Sequence, residues 1–190
     1  SEGAAAGLVA TVHDAVCPIA LMTGDLPAAE AAIAVMSHWA TRLDARLWKM
    51  MATCWKGKLL IERGEVARGM ELMSQTLEAC EQSGWQMSYV QFLGYLADGL
   101  ARLGRFEEAR SKLERAIAWA DQSGEHWYRA ELLRLKGELM LRSKAALAIE
   151  AAECFRTAGA VAREQGALSW ELRIALSLAR LRTAQGRHDE

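Results

Sequence analysis

The sequence predicts an all-α fold of stacked antiparallel helix pairs, and three observations predict it. Glycine recurs at a fixed interval: Gly24, Gly64 and Gly104 are each forty residues apart, and Gly186 lies close to two further periods on. A second set of turn residues, Asp44, Gly84, Gly124 and Gly166, falls between them at steps of forty, forty and forty-two. The segments between these turns are rich in Ala, Leu, Glu, Arg and Met with few β-branched runs, a composition that favours helix. Each unit is therefore two helices and two turns. Repeats of this length cannot bury an apolar face alone, so they stack on their neighbours into a solenoid, an architecture suited to binding more than to catalysis.

Taken in order, the units cover residues 5–43, 45–83, 85–123 and 125–165, followed by an unpaired terminal helix over 168–185. The first helices are expected over 5–22, 45–63, 85–103 and 125–142, and the second helices over 26–43, 65–83, 105–123 and 145–165. Gly64, Gly84, Gly104, Gly124 and Gly166 sit where a helix C-terminus takes a residue tolerant of positive φ. The turn around Ser143-Lys144 has no glycine and carries the two-residue excess. Pro18, inside the first helix, lacks a backbone donor and is expected to kink or restart it.

A small-large-small pattern repeats in register along the second helices: Ala29, Ile33, Met36; Gly69, Met73, Thr76; Ala109, Leu113, Ala116; Ala151, Phe155, Ala158. In each first helix a small residue, Cys17, Gly57, Ala97 or Gly137, stands seven positions before the turn. Small residues let two helices approach while the larger one fills the gap. This skeleton resembles the tetratricopeptide repeat, which implies a right-handed solenoid. Two departures stand out: the units are about forty residues long, against about 34 in that repeat, and its early Trp and mid-helix Tyr are mostly replaced. The chain is therefore read as tetratricopeptide-like, with longer helices.

Composition excludes several function classes. The 190 residues are 52% hydrophobic and 25% charged, enough to bury a core as one elongated domain. A formal net charge of -1 offers no field for nucleic-acid phosphates or an anionic membrane. No run reaches about 18 consecutive apolar residues, the length of a membrane span. The start, Ser1-Glu2-Gly3, has no signal-peptide character. Cys17, Cys54, Cys80 and Cys154 are scattered without metal-ligand or disulfide spacing. Reduced, buried thiols and a cytoplasmic setting follow. The chain starts without methionine, so it is also read as a piece of a larger protein.

A more specific resemblance rests on three stretches. They are the run from Trp127 through Tyr128, Arg129, Ala130, Glu131, Leu132, Leu133, Arg134, Leu135, Lys136, Gly137, Glu138 and Leu139; the run Ala152-Glu153-Cys154-Phe155-Arg156; and the run Gln165-Gly166-Ala167-Leu168-Ser169-Trp170-Glu171-Leu172-Arg173. These are similar to the C-terminal repeats of large bacterial signal-transduction ATPases, and Cys17-Pro18-Ile19-Ala20-Leu21-Met22-Thr23-Gly24-Asp25-Leu26 resembles an upstream part of the same region. The resemblance spans nearly the whole chain and is strongest over 127–187. Such proteins join a winged-helix transcriptional regulator, or an adenylate cyclase module, to an ATPase core followed by this array. The resemblance implies a sensor or interaction arm whose partner is a protein or peptide, including the parent's own ATPase domain. No G-x-x-x-x-G-K-[ST] phosphate loop occurs here, so nucleotide binding, and any other cofactor, is not assigned to this segment.

Mapping the tetratricopeptide pattern onto the chain places the candidate partner-binding residues on the first helices: Lys58 and Glu62, Gln91, Asp98, Arg102, Glu131, Arg134, Glu138, Arg142, Arg173 and Arg180. The pairs Lys58/Glu62, Asp98/Arg102 and Glu138/Arg142 are four apart and adjacent on a helix surface. One reading is a solvated ion-pair face. The other is a groove in which Arg134, Arg142, Arg173 and Arg180 offer planar forks to carboxylates or phosphates on a peptide, another domain or a metabolite.

Of the seven tryptophans, Trp48 and Trp170 occupy equivalent places near the start of a first helix, with Trp85 and Trp127 a few positions from them. They are read as wedges between repeats, with exposed members as alternative partner anchors. Trp39, Trp55 and Trp119 have no comparable register and are given packing roles only. His13, His38, His126 and His188 are remote from one another, and none makes a helical metal pair. Cys154 lies on an apolar face without a positioned base. No catalytic residue or metal site is assigned. The competing readings are a stand-alone peptide-binding adaptor and an oligomerisation segment, the latter through the terminal helix with Leu172, Leu176, Leu178, Ala179 and Leu181 to bury.

Overall fold

The structure, a computed structural model, describes residues 2–84 and 88–186. Every regular element among them is helical, and the chain divides into two compact units, Ser1–Met87 and Ser88–Glu190.

In the first unit, α1 (Glu2–Thr11) runs through a π-helical turn (Val12–Val16) into α2 (Cys17–Thr23). The continuous helix expected over 5–22 is thus interrupted, and Pro18 gives the reason. Its ring cannot sit against the preceding turn of a regular α-helix, and immediately before it the Cys17 N–H reaches back to the Val12 carbonyl, five residues away. The helix widens, then restarts with the proline in its first turn. Gly24, at φ +78°, ends α2. Asp25 then caps α3 (Leu26–Arg42), its carboxylate accepting from the Ala28 N–H at 3.0 Å. α4 (Arg46–Glu62) and α5 (Val66–Gln82) complete the unit. Asp44 takes the left-handed conformation, φ +47°, at the turn where glycine is missing.

A stretch of this unit, Gly3–Thr23, is long and apolar enough by composition to cross a membrane. It is only partly buried in the unit, with Leu8, Val16 and Ile19 exposed. Val9, Val12, Cys17, Ala20 and Leu21 are buried, and His13 within it accepts a hydrogen bond from Trp55 Nε1 of α4 at 2.9 Å.

Helices α4 and α5 approach closely at a pair of facing glycines. A Cβ built at Gly57 would stand 2.8 Å from the Gly69 carbonyl oxygen and 3.2 Å from Met73 Cβ, and one built at Gly69 would drive into the Gly57 carbonyl. The small position of the first helix and the small-large positions of the second therefore meet face to face, as the spacing predicts.

The second unit contains α6 (Tyr89–Arg102), α7 (Phe106–Ser123), α8 (Arg129–Ser143), α9 (Ala148–Glu164) and α10 (Leu168–Ala184). The expected helix over 85–103 starts at Tyr89, after Ser88 in a left-handed conformation at φ +56°. Trp85 lies outside the described residues. Short 3-10 turns, His126–Tyr128 and Ala145–Leu147, lead into α8 and α9. The second of these, with Lys144 extended at φ -154°, absorbs the two-residue excess in the turn that has no glycine. Gly137 of α8 lies under the Phe155 ring of α9, where an added Cβ would come within 2.6 Å of a ring carbon. Ala109, Leu113 and Ala116 of α7 and Ala151, Phe155 and Ala158 of α9 are all buried. Thr76 of α5 is only half-buried.

Candidate functional site

The first helices of the second unit, α6, α8 and α10, lie in sequence with α8 touching both of the others. Polar side chains at matching positions before each turn therefore come together. Counting back from the turn, the sixth position is Asp98 on α6, Glu138 on α8 and Arg180 on α10, and the second is Arg102 on α6 and Arg142 on α8. The thirteenth is Gln91, Glu131 and Arg173.

Two clusters result. In one, Glu131 of α8 accepts from Arg134 on its own helix at 2.7 and 2.8 Å and from Arg173 Nη2 of α10 at 3.0 Å. Arg134 also reaches Glu138 at 3.3 Å and Ser177 Oγ of α10 at 3.2 Å, and the Ser177 hydroxyl donates to Glu138 at 2.7 Å. In the other, Asp98 of α6 takes Arg102 on its own helix at 2.8 Å and Arg142 of α8 at 3.0 Å.

The carboxylates face inward and the guanidinium groups outward. The Glu131 side chain is 3% exposed and that of Asp98 11%, while those of Arg173 and Arg142 are 35% and 41% exposed. Arg180 is exposed on α10. Arg134 is the exception: it is buried in the cluster, and although burial alone would disfavour its charge, the hydrogen bonds and charge of Glu131 raise its pKa. Arg173 also stands over the Trp170 ring, 5.9 Å from its centroid, with its Nε buried and without a hydrogen-bond partner.

Of the two readings of this face, a wholly solvated one does not fit the burial of its members. Gln91, Glu131 and Arg134 are buried, because each lies where one first helix packs on the next. The expected Glu138/Arg142 pair is replaced by two others: Arg142 turns to Asp98 of α6, and Glu138 to Arg134 and Ser177. Gln91 donates to the Tyr95 hydroxyl at 2.9 Å, and Tyr95 packs edge-on against Tyr128 with ring centroids 6.0 Å apart. Burial pushes both phenols above their usual range. Lys58 and Glu62, in the first unit, pair as the spacing predicts, but Lys58 is buried.

Sequence reasoning missed Ser177 at this site and, in the first unit, the pairing of Trp55 with His13. Ser177 sits on the buried side of α10, where its place four residues after Arg173 was the available signal. Trp55 is fully buried and donates to His13 Nδ1, which fixes the imidazole as the neutral tautomer protonated at Nε2. Burial lowers the His13 pKa, against a smaller opposing effect of Asp14. Trp48 flanks the same imidazole edge-on, centroids 5.6 Å apart.

Trp170 is nearly buried and meets Tyr128 at 5.5 Å and 90°, a wedge between α10 and the start of α8. Trp127 is 45% exposed instead of wedged. It borders an open cleft of about 520 Å³ lined also by Gly124, Glu125, His126, Gln165 and Ala167.

No family model and no curated protein matches the chain. Among solved structures, the chain is similar to that of a Podospora anserina protein described as a kinesin light chain, in its nearly identical TPR-like repeats. The two share 17% identity at a TM-score of 0.59, over 94% of this chain and 87% of that one. At that identity the likeness establishes the fold: this chain is an all-α, tetratricopeptide-like helical-repeat protein.

Proposed function

We propose that the chain is a non-catalytic interaction arm that binds an acidic protein segment along the α6–α8–α10 face. One observation carries this reading: the outward layer of Arg102, Arg142, Arg173 and Arg180 over an inward layer of Asp98, Glu131 and Glu138. Asp98 beneath holds the guanidinium planes of Arg102 and Arg142, and Glu131 that of Arg173, so part of the ordering cost of binding is met before a ligand arrives. Planar, partly exposed guanidinium groups suit carboxylates and phosphates.

The resemblance to signal-transduction ATPases supplies the finer reading: a cytoplasmic arm of an ATP-dependent bacterial transcriptional regulator whose ligand is another protein or the parent's own ATPase domain. Binding would bias the parent between resting and active states only through different affinity for the two. A free-standing adaptor would use the same face and differ in what the polypeptide carries besides it.

The test is charge reversal at Arg142 and Arg180, which are exposed enough to change without dismantling the fold. In the full-length parent, Arg142→Glu with Arg180→Glu is expected to alter ATPase or transcriptional output. Unchanged output in a stably folded double variant removes the face from the function. Arg134 is unsuitable for this purpose because its reversal would bury an unpaired charge.

A further inference from the structure

Helix α10 is apolar on two opposite sides. At 3.6 residues per turn, Trp170, Ile174, Ser177 and Leu181 form one side and are buried in the second unit. Leu168, Leu172, Ala175, Leu176 and Ala179 form the other and are exposed. The three leucines are 77%, 63% and 47% exposed, although they stand at i, i+4 and i+8 of a regular helix. A helix apolar on both sides belongs inside a protein, whereas the outermost helix of a repeat array normally turns a polar face to water.

The two earlier first helices show what such a face does. Counting back from the turn, Leu172 matches Val90 of α6 and Ala130 of α8, both fully buried. Ala179 matches Ala97 and Gly137. Gly137 is the residue pressed against Phe155 of the following second helix. In α10 the same positions meet solvent. Its C-terminus also carries the device that turns a first helix into a second: Gly186 is left-handed at φ +72°, as Gly64 and Gly104 are at +88° and +74°. In the sequence that follows, outside the described residues, Arg187 and Glu190 match Arg105 and Glu108.

We propose that α10 is the first helix of a fifth pair, and that its Leu168–Leu172–Ala179 side is the docking surface for an amphipathic helix supplied by this same polypeptide as it continues beyond Gly186. The register specifies that helix. Five residues after the turn glycine stand Ala29, Gly69 and Ala109, and nine after it Ile33, Met73 and Leu113. The covering helix therefore carries a small residue five positions after Gly186, against Ala179, and a bulky apolar residue four further on.

The experiment compares the 190-residue chain with one extended by the next twenty or so codons of its own reading frame. Each carries Leu172→Cys, or Arg180→Cys as the reference on a side of α10 that a second helix leaves open. Maleimide labelling at Leu172→Cys is expected to slow about tenfold or more in the extended chain, while labelling at Arg180→Cys stays constant. Equal labelling of Leu172→Cys in both chains overturns the proposal, as does a frame that stops at Glu190. Protection already present in the 190-residue chain that deepens with protein concentration also overturns it, and assigns the face to a second copy instead.

Discussion

Glu131 and Arg134, three residues apart on α8, form a bidentate ion pair, Nε to Oε2 at 2.7 Å and Nη2 to Oε1 at 2.8 Å, that is almost fully removed from water. Helix α10 closes over it with Arg173 and Ser177. Breaking a buried pair costs far more than the pair contributes, because the surviving charge is stranded. Glu131→Ala should destabilise the second unit by about 3–5 kcal/mol, read as the urea midpoint of unfolding. Replacing both residues by methionine should cost much less. Equal losses in the single and double variants would show that the cluster acts through packing alone.

Gly137 and Phe155 make a steric prediction. An added Cβ at 137 meets the ring at 2.6 Å, and overpacking of this kind costs about 1–3 kcal/mol. Gly137→Ala should lower the melting temperature, and Phe155→Leu in the same chain should recover part of the loss, since it removes the ring atoms that collide. A double variant less stable than the sum of the two single changes would contradict this contact.

His13 gives a pH prediction with a defined sign. Its pKa in the folded chain lies below the ordinary histidine value of 6.5, mainly through burial, so the unfolded chain binds the proton more readily. Stability from this residue is fully present above pH 6.5 and is lost as pH falls from there through the folded pKa, at up to about 1.4 kcal/mol per pH unit. Hydrogen exchange of the α4 amides should therefore accelerate between pH 7 and 5, after correction for intrinsic rates, more in the wild type than in His13→Gln. An identical acid response in both would clear His13 of the effect.

The cysteines should react in order of burial. Cys17, Cys54 and Cys80 are buried, and Cys154 is half-buried with its sulfur 3.9 Å from Met140 Sδ. Burial pushes the Cys17 thiol up to about 12 and raises that of Cys54 as well, and only the thiolate is nucleophilic. Iodoacetamide at pH 8 is expected to modify Cys154 first and the other three only with denaturant, as followed by peptide mass spectrometry. Early labelling of Cys17 would mean that α2 opens readily.

The sequence by itself determined the turns and the helix pairing. Positive φ at Gly24, Gly64 and Gly104, and close approach at Gly57, Gly69 and Gly137, are demands that few residue types meet, so residue identity at a fixed spacing reveals them. Pro18 likewise announced the break in the first helix, though not its π-helical form. Charge pairing was different. Spacing along one helix correctly matched Asp98 with Arg102, but it could not show that Arg142 crosses to Asp98 or that Glu131 gathers arginines from two helices. Nor could it join His13 to Trp55, forty-two residues apart. Those partners depend on how far neighbouring helices slide and rotate against each other, which the packed side chains of several helices fix together. Tertiary structure therefore decided which charges are buried and which stay partly exposed at the surface.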